Sequence, residues 1–93
     1  MIQHIVMWKF KPGTESEQKK FLDGLRGLHG VIPQIRTQVV GENVVPGNYD
    51  AALVSTFDSL EDLETYKTDP RHVEVSSLCK AIRTSRVAVD MEV

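Results

Sequence analysis

Four side chains of this sequence combine a reactive group with a setting that would tune it. His4 lies in IQHIVMWKF, where its neighbours on one side of an alternating strand are all apolar. Withdrawal from water disfavours the imidazolium, so His4 is expected to be a neutral imidazole able to accept a proton. Its ordinary structural role would be to hydrogen-bond a buried carbonyl or carboxylate. His72 stands two residues after Pro70, in the first turn of an expected helix. A helix N-terminus lowers the pKa of a histidine held there, while the same position also suits a solvent-facing residue. Tyr66, on an amphipathic helix, can donate to an oxygen that gains charge as a proton leaves; a core tyrosine with its hydroxyl at the rim is the usual alternative. A histidine base and a tyrosine donor make a minimal proton-transfer site. Arg86, on a strand of alternating valines, suits either a carboxylate ligand or an ion pair with Asp90 or Glu64.

The elements that must position these groups follow from periodicity. Residues 2 to 10 alternate, with Ile2, His4, Val6, Trp8 and Phe10 on one side and Gln3, Ile5, Met7 and Lys9 on the other, which predicts a strand apolar on both faces. Thr14 and Glu17 have capping-box spacing, so a helix should begin near Glu15, with Phe21, Leu22, Leu25 and Leu28 as its buried stripe and Gly30 as a left-handed cap. Residues 35 to 45 read as a second strand ending at the Pro46-Gly47-Asn48 turn. A third strand runs from Tyr49 to Phe57, with Tyr49, Ala51, Leu53, Ser55 and Phe57 on one face. Asp58 and Ser59 offer two overlapping caps for a short helix starting near Ser59, with Leu60, Leu63 and Tyr66 or Lys67 at helical spacing. Asp69-Pro70 should open another helix, in which Val73, Val75, Leu78, Cys79 and Ile82 are the apolar positions. Residues 85 to 93 alternate again and form the last strand. Val6, Trp8 and Leu53 share the His4 side and are the expected ligand lining, although filling the core is the ordinary role of Trp8 and Phe10.

Strand, helix, two strands, helical region and strand is the order of a ferredoxin-like α+β fold, with helices on one face of a four-stranded antiparallel sheet. With 93 residues the chain reads as a single domain over 1–93. The other sheet face would be polar in a monomer, yet it carries Ile5, Met7, Ala52, Val54, Val87 and Val89. At ~25 cal/mol per Å² their exposure costs several kcal/mol, so a homodimer through the open sheet face is expected.

Several functions are set aside on composition and motifs. A net charge of −2 gives no electrostatic reason to bind nucleic acid or an acidic membrane, and the aromatic platform of an RNA-binding sheet is lacking. Lysines follow rather than precede the first apolar run, the reverse of an export signal, and the lone Cys79 fits a reducing compartment; a cytoplasmic location is expected. No Cys-x-x-Cys, His-x-x-x-His, phosphate-loop or Gly-x-Ser-x-Gly pattern occurs, so neither a metal nor a cofactor is expected.

Together IQHIVMWKFKPG, YDAALVSTFDSLEDLETY, DPRHVEV and SRVAVDMEV, spanning essentially the whole chain, resemble the stress-responsive A/B barrel (Dabb) domain family. That resemblance implies a dimeric α+β barrel in which two four-stranded sheets close on each other, and an association with stress. It also implies, from a plant polyketide cyclase of the family that closes a linear tetraketide by an intramolecular aldol step, a histidine and tyrosine pocket between sheet and helices. His4, Tyr66 and His72 match three pocket residues of that cyclase. Ala51 stands where the cyclase has a further histidine, Arg83 replaces a pocket aromatic and Arg86 an aliphatic residue. Two functions are therefore expected in competition. One is binding or transformation of a small apolar carbonyl or phenolic compound by His72, His4 and Tyr66, with Val6, Trp8, Leu53 and Arg86 against the ligand. The other is a non-catalytic stress-associated dimer.

Overall fold

The computed structural model describes residues 1–93, as β1 (Ile2–Phe10), α1 (Glu15–Arg26), β2 (Thr37–Glu42), β3 (Ala51–Phe57), α2 (Leu60–Thr68), α3 (Pro70–Lys80) and β4 (Arg83–Glu92). The strands form one antiparallel sheet in the order β2-β3-β1-β4, the ferredoxin-like arrangement. The first strand is therefore central, paired with β3 on one side and β4 on the other.

Alternation decides which side chains meet the helices. Ile2, His4, Val6, Trp8 and Phe10 of β1 and Ala51, Leu53, Ser55 and Phe57 of β3 are all buried. Phe21, Leu22 and Leu25 of α1, Leu63 and Tyr66 of α2 and Cys79 of α3 close the core over them. On the opposite face Met7, Val39, Val87, Val89 and Met91 are exposed beside half-buried Ile5, Ala52 and Val54. Cross-strand pairing of Met7 with Ala52 and Val87, of Ile5 with Val54 and Val89, and of Val39 with Val54 joins them into one apolar surface.

The caps of the later helices form as their spacing predicts. Ser59 Oγ accepts from the Asp62 amide at 3.1 Å, and Asp69 Oδ1 from the Arg71 amide at 2.9 Å with Pro70 opening α3. The capping box expected at Thr14 does not form. Its hydroxyl donates to the Lys11 carbonyl at 2.6 Å and accepts from the Gln18 amide side chain, because a backbone at φ −110°, ψ 24° has left the extended conformation that aims a cap at the helix amides. The first helix also stops at Arg26, short of the expected cap. Gly30 takes its left-handed φ of +90° in the following turn, where the amides of Val31 and Ile32 both reach the Leu28 carbonyl.

Three side chains leave the faces that periodicity gave them. Tyr49 precedes β3 and turns its ring to the open face, its hydroxyl 3.1 Å from Ser85 Oγ and Lys9 Nζ 5.7 Å from its centroid. The alternation breaks at Asp50, whose carboxylate is tied to the Phe10 amide. Leu60 and Val73 are exposed because each sits in the first turn of its helix, before the inward stripe begins at buried Leu63 and half-buried Val75. Ser59→Ala should cost about 1 kcal/mol in urea denaturation, while Thr14→Ala, which removes no helix cap, should cost distinctly less.

Candidate active site

His4 is placed by three strands. Directly across from it stand Ser55 on β3 and Asp90 on β4. His4 Nδ1 is hydrogen-bonded to Asp90 Oδ1, and Lys67 Nζ lies 3.7 Å from the other carboxylate oxygen. A carboxylate only accepts, so Nδ1 of the neutral ring carries the proton and Nε2 keeps its lone pair. His72 is held the same way. Its Nδ1 meets the Lys67 carbonyl at 3.1 Å, again an acceptor, which leaves Nε2 as the basic nitrogen. Tyr66 lies between the two rings, its centroid 4.3 Å from that of His72 and 6.3 Å from that of His4. The break between α2 and α3 at Asp69-Pro70 is what lets Tyr66 from one helix and His72 from the next face the same spot.

Burial sets the protonation states. It pushes both imidazoles below their ordinary value of 6.5, against the opposing pull of Asp90 on His4 and of the Lys67 carbonyl on His72. The positive charge of Arg86 lowers both further. Burial drives the Tyr66 phenol up to about 12, so it stays protonated and can donate. At neutral pH the site therefore holds two neutral bases and one neutral donor.

All seven residues singled out from the sequence, His4, Tyr66, His72, Val6, Trp8, Leu53 and Arg86, line one cleft between sheet and helices. Its volume is about 20 Å³, room for roughly one water molecule. The cleft is least covered at β4, where Arg86 is the exposed member of its lining. Ser76, Cys79 and Arg83 complete the polar lining and were not expected there as ligand contacts. Asp90 pairs with His4 and Lys67 rather than with Arg86, and Glu64 does not pair with Arg86 either. Strand alternation already put Asp90 on the Arg86 side of its strand; only the pairing register shows that His4 lies opposite it. No group of three histidine, cysteine or carboxylate side chains is placed to hold a metal ion.

This sheet order, with helices over one face and a polar cleft beneath them, defines a ferredoxin-like α+β protein. The chain belongs to the Dabb family: the stress responsive A/B barrel domain matches it over residues 2–93. It is similar to a dimeric protein of unknown function and ferredoxin-like fold from Bacteroides fragilis, at 32% identity over 99% of this chain and 95% of the other, with a TM-score of 0.91. A dimeric ferredoxin-like protein of unknown function from Thermobifida fusca is 24% identical over 99% and 90% of the two chains, with a TM-score of 0.88. The hydroxynitrile lyase from Passiflora edulis shares the fold at 17% identity over 99% of this chain and 92% of that one, with a TM-score of 0.87. No curated protein matches the sequence. No helix is long and apolar enough to cross a membrane.

The histidines give a pH signature. Because both folded values lie below the ordinary 6.5, the unfolded chain binds protons that the folded one refuses as pH falls through 6.5. The associated stability should be complete above about pH 6.5 and decline below it. Urea midpoints at fixed protein concentration should drop between pH 7.5 and 5, and less steeply in His72→Gln; a flat wild-type profile would contradict the burial of these rings.

Proposed function

We propose that the protein works as a homodimer and that each cleft binds a small carbonyl or phenolic compound and moves a proton on it, using its own side chains. The observation that carries this reading is the fixed tautomer of both histidines. Each donates Nδ1–H to a protein oxygen and keeps a basic Nε2 beside a tyrosine that stays protonated. One imidazole takes the proton from carbon or oxygen, and Tyr66 donates to the oxygen where negative charge develops. Asp90 orients the His4 ring and stabilises the imidazolium once it forms, as a carboxylate behind a histidine does in other acid–base sites. The Passiflora lyase supports a catalytic use of this fold.

Dimerisation rests on the apolar open face and on the dimeric neighbours. Val89, 55% exposed in the middle of that face, would lie inside the interface. Sedimentation at micromolar concentration should give a dimer, and Val89→Asp a monomer that keeps its helical circular dichroism; a monomeric wild type would remove this part of the reading.

For the site, deuterium uptake at the α-carbon of acetophenone, followed by proton NMR, should exceed buffer and fall about a hundredfold in His72→Ala and Tyr66→Phe. Unchanged uptake in both variants would disprove the assignment. A second reading, a dimer without an active site, draws on the cleft volume of about 20 Å³. It predicts that no small aryl ketone or phenol shifts the His72 and Tyr66 ring resonances at all.

A further inference from the structure

The sequence contains five arginines, at positions 26, 36, 71, 83 and 86. Three are matched to carboxylates on the surface: Arg26 with Asp23, Arg36 with Asp58, and Arg71 with Asp69. Arg83 and Arg86 have no carboxylate within 4.0 Å, and both line the cleft that holds His4, Tyr66 and His72. Asp90, the acidic group closest to them along the strand, is already engaged by His4 and Lys67. The other titratable groups of the cleft are uncharged at neutral pH: two imidazoles lowered by burial, a phenol and the Cys79 thiol, both raised by it. Two positive charges therefore face the cleft without a negative one.

Their common orientation is not what a regular strand would give. Positions three apart point to opposite faces of a sheet. Here the β1–β4 register slips, so that Phe10 pairs with Arg83, Lys9 with Ser85 and Trp8 with Arg86, leaving Thr84 as the extra residue of a bulge. The bulge turns both arginines to the side of buried Phe10 and Trp8, where the helices and the cleft are. Ser85, between them, goes to the other face and meets Tyr49.

We propose that Arg83 and Arg86 form an anion subsite and that the compound handled by the cleft is a small carboxylic acid, with its carbonyl or phenol end toward Tyr66 and His72. This deepens the function proposed above and rests on it. Guanidinium groups match a carboxylate through paired N–H donors, and at the partly covered rim such charge-assisted bonds are stronger than in open water. A ligand larger than water needs these two side chains to swing aside from a cleft of about 20 Å³, and pairing with its anion holds them in the new position.

Titration of the intact protein with 4-hydroxybenzoate and with its neutral amide, 4-hydroxybenzamide, followed by the His72 and Tyr66 ring resonances, tests the assignment. The acid should bind at least tenfold more tightly than the amide. Arg83→Gln and Arg86→Gln should each weaken the acid about tenfold and leave the amide unchanged. Equal binding of acid and amide, with both shifting the two rings, would overturn the anion subsite and leave the ring site standing. Acid affinity unchanged in both arginine variants would overturn it as well. If neither compound shifts the rings, the subsite and the proton-transfer reading fall together.

Discussion

The whole arrangement depends on how β1 is paired. It is one of the two central strands of the sheet, and its inward residues are located by partners on both sides: Ser55 and Asp90 flank His4, Leu53 and Ala88 flank Val6, Ala51 and Arg86 flank Trp8. A slip of one residue against β4 would exchange Asp90 for a valine or methionine of the opposite face and leave His4 without its carboxylate. Register here is strongly specified, because the same slip would also carry Val87 and Val89 into the polar side of the cleft and bring arginines onto the open face.

The two faces of the sheet thus have separate physical tasks. The helix side is closed by aromatic packing, with Trp8 and Phe21 edge-on at 5.1 Å and Phe57 and Tyr66 tilted at the same separation. That packing removes water from the histidines, which is the cause of their lowered pKa values. The open side keeps its apolar residues at the surface, where their burial requires a second surface to meet them. Charge is concentrated where these tasks meet, along β4, whose inward positions carry Arg83, Arg86 and Asp90. As an edge strand it has only one neighbour in the sheet and is the least covered part of the cleft.

Much of this was legible in the chain. The alternation of residues 2–10 and 51–57, the caps at Ser59 and Asp69 and the apolar open face all follow from local rules: which neighbours a side chain has on its own strand, and which side chain can reach the amides just after it. His4, His72, Tyr66 and Arg86 stood out for the same reason, as polar groups in apolar or helix-initiating settings. What failed locally failed for local backbone reasons, as at Thr14, where the cap geometry was lost, and at Tyr49, where Asp50 interrupts the alternation.

By itself, then, the sequence determined the order of the elements, the two-faced strands and the residues able to exchange protons, because periodicity and capping act over a few residues. Only the tertiary structure decided that Asp90 belongs to His4, that Arg83 joins Arg86, and how little space the rings leave. Those outcomes depend on the register between β1 and β4, strands some eighty residues apart in the chain, and on a single bulged residue between them. A pairing at that separation is settled by the competition of whole strand faces for burial, and no short stretch of sequence contains both partners.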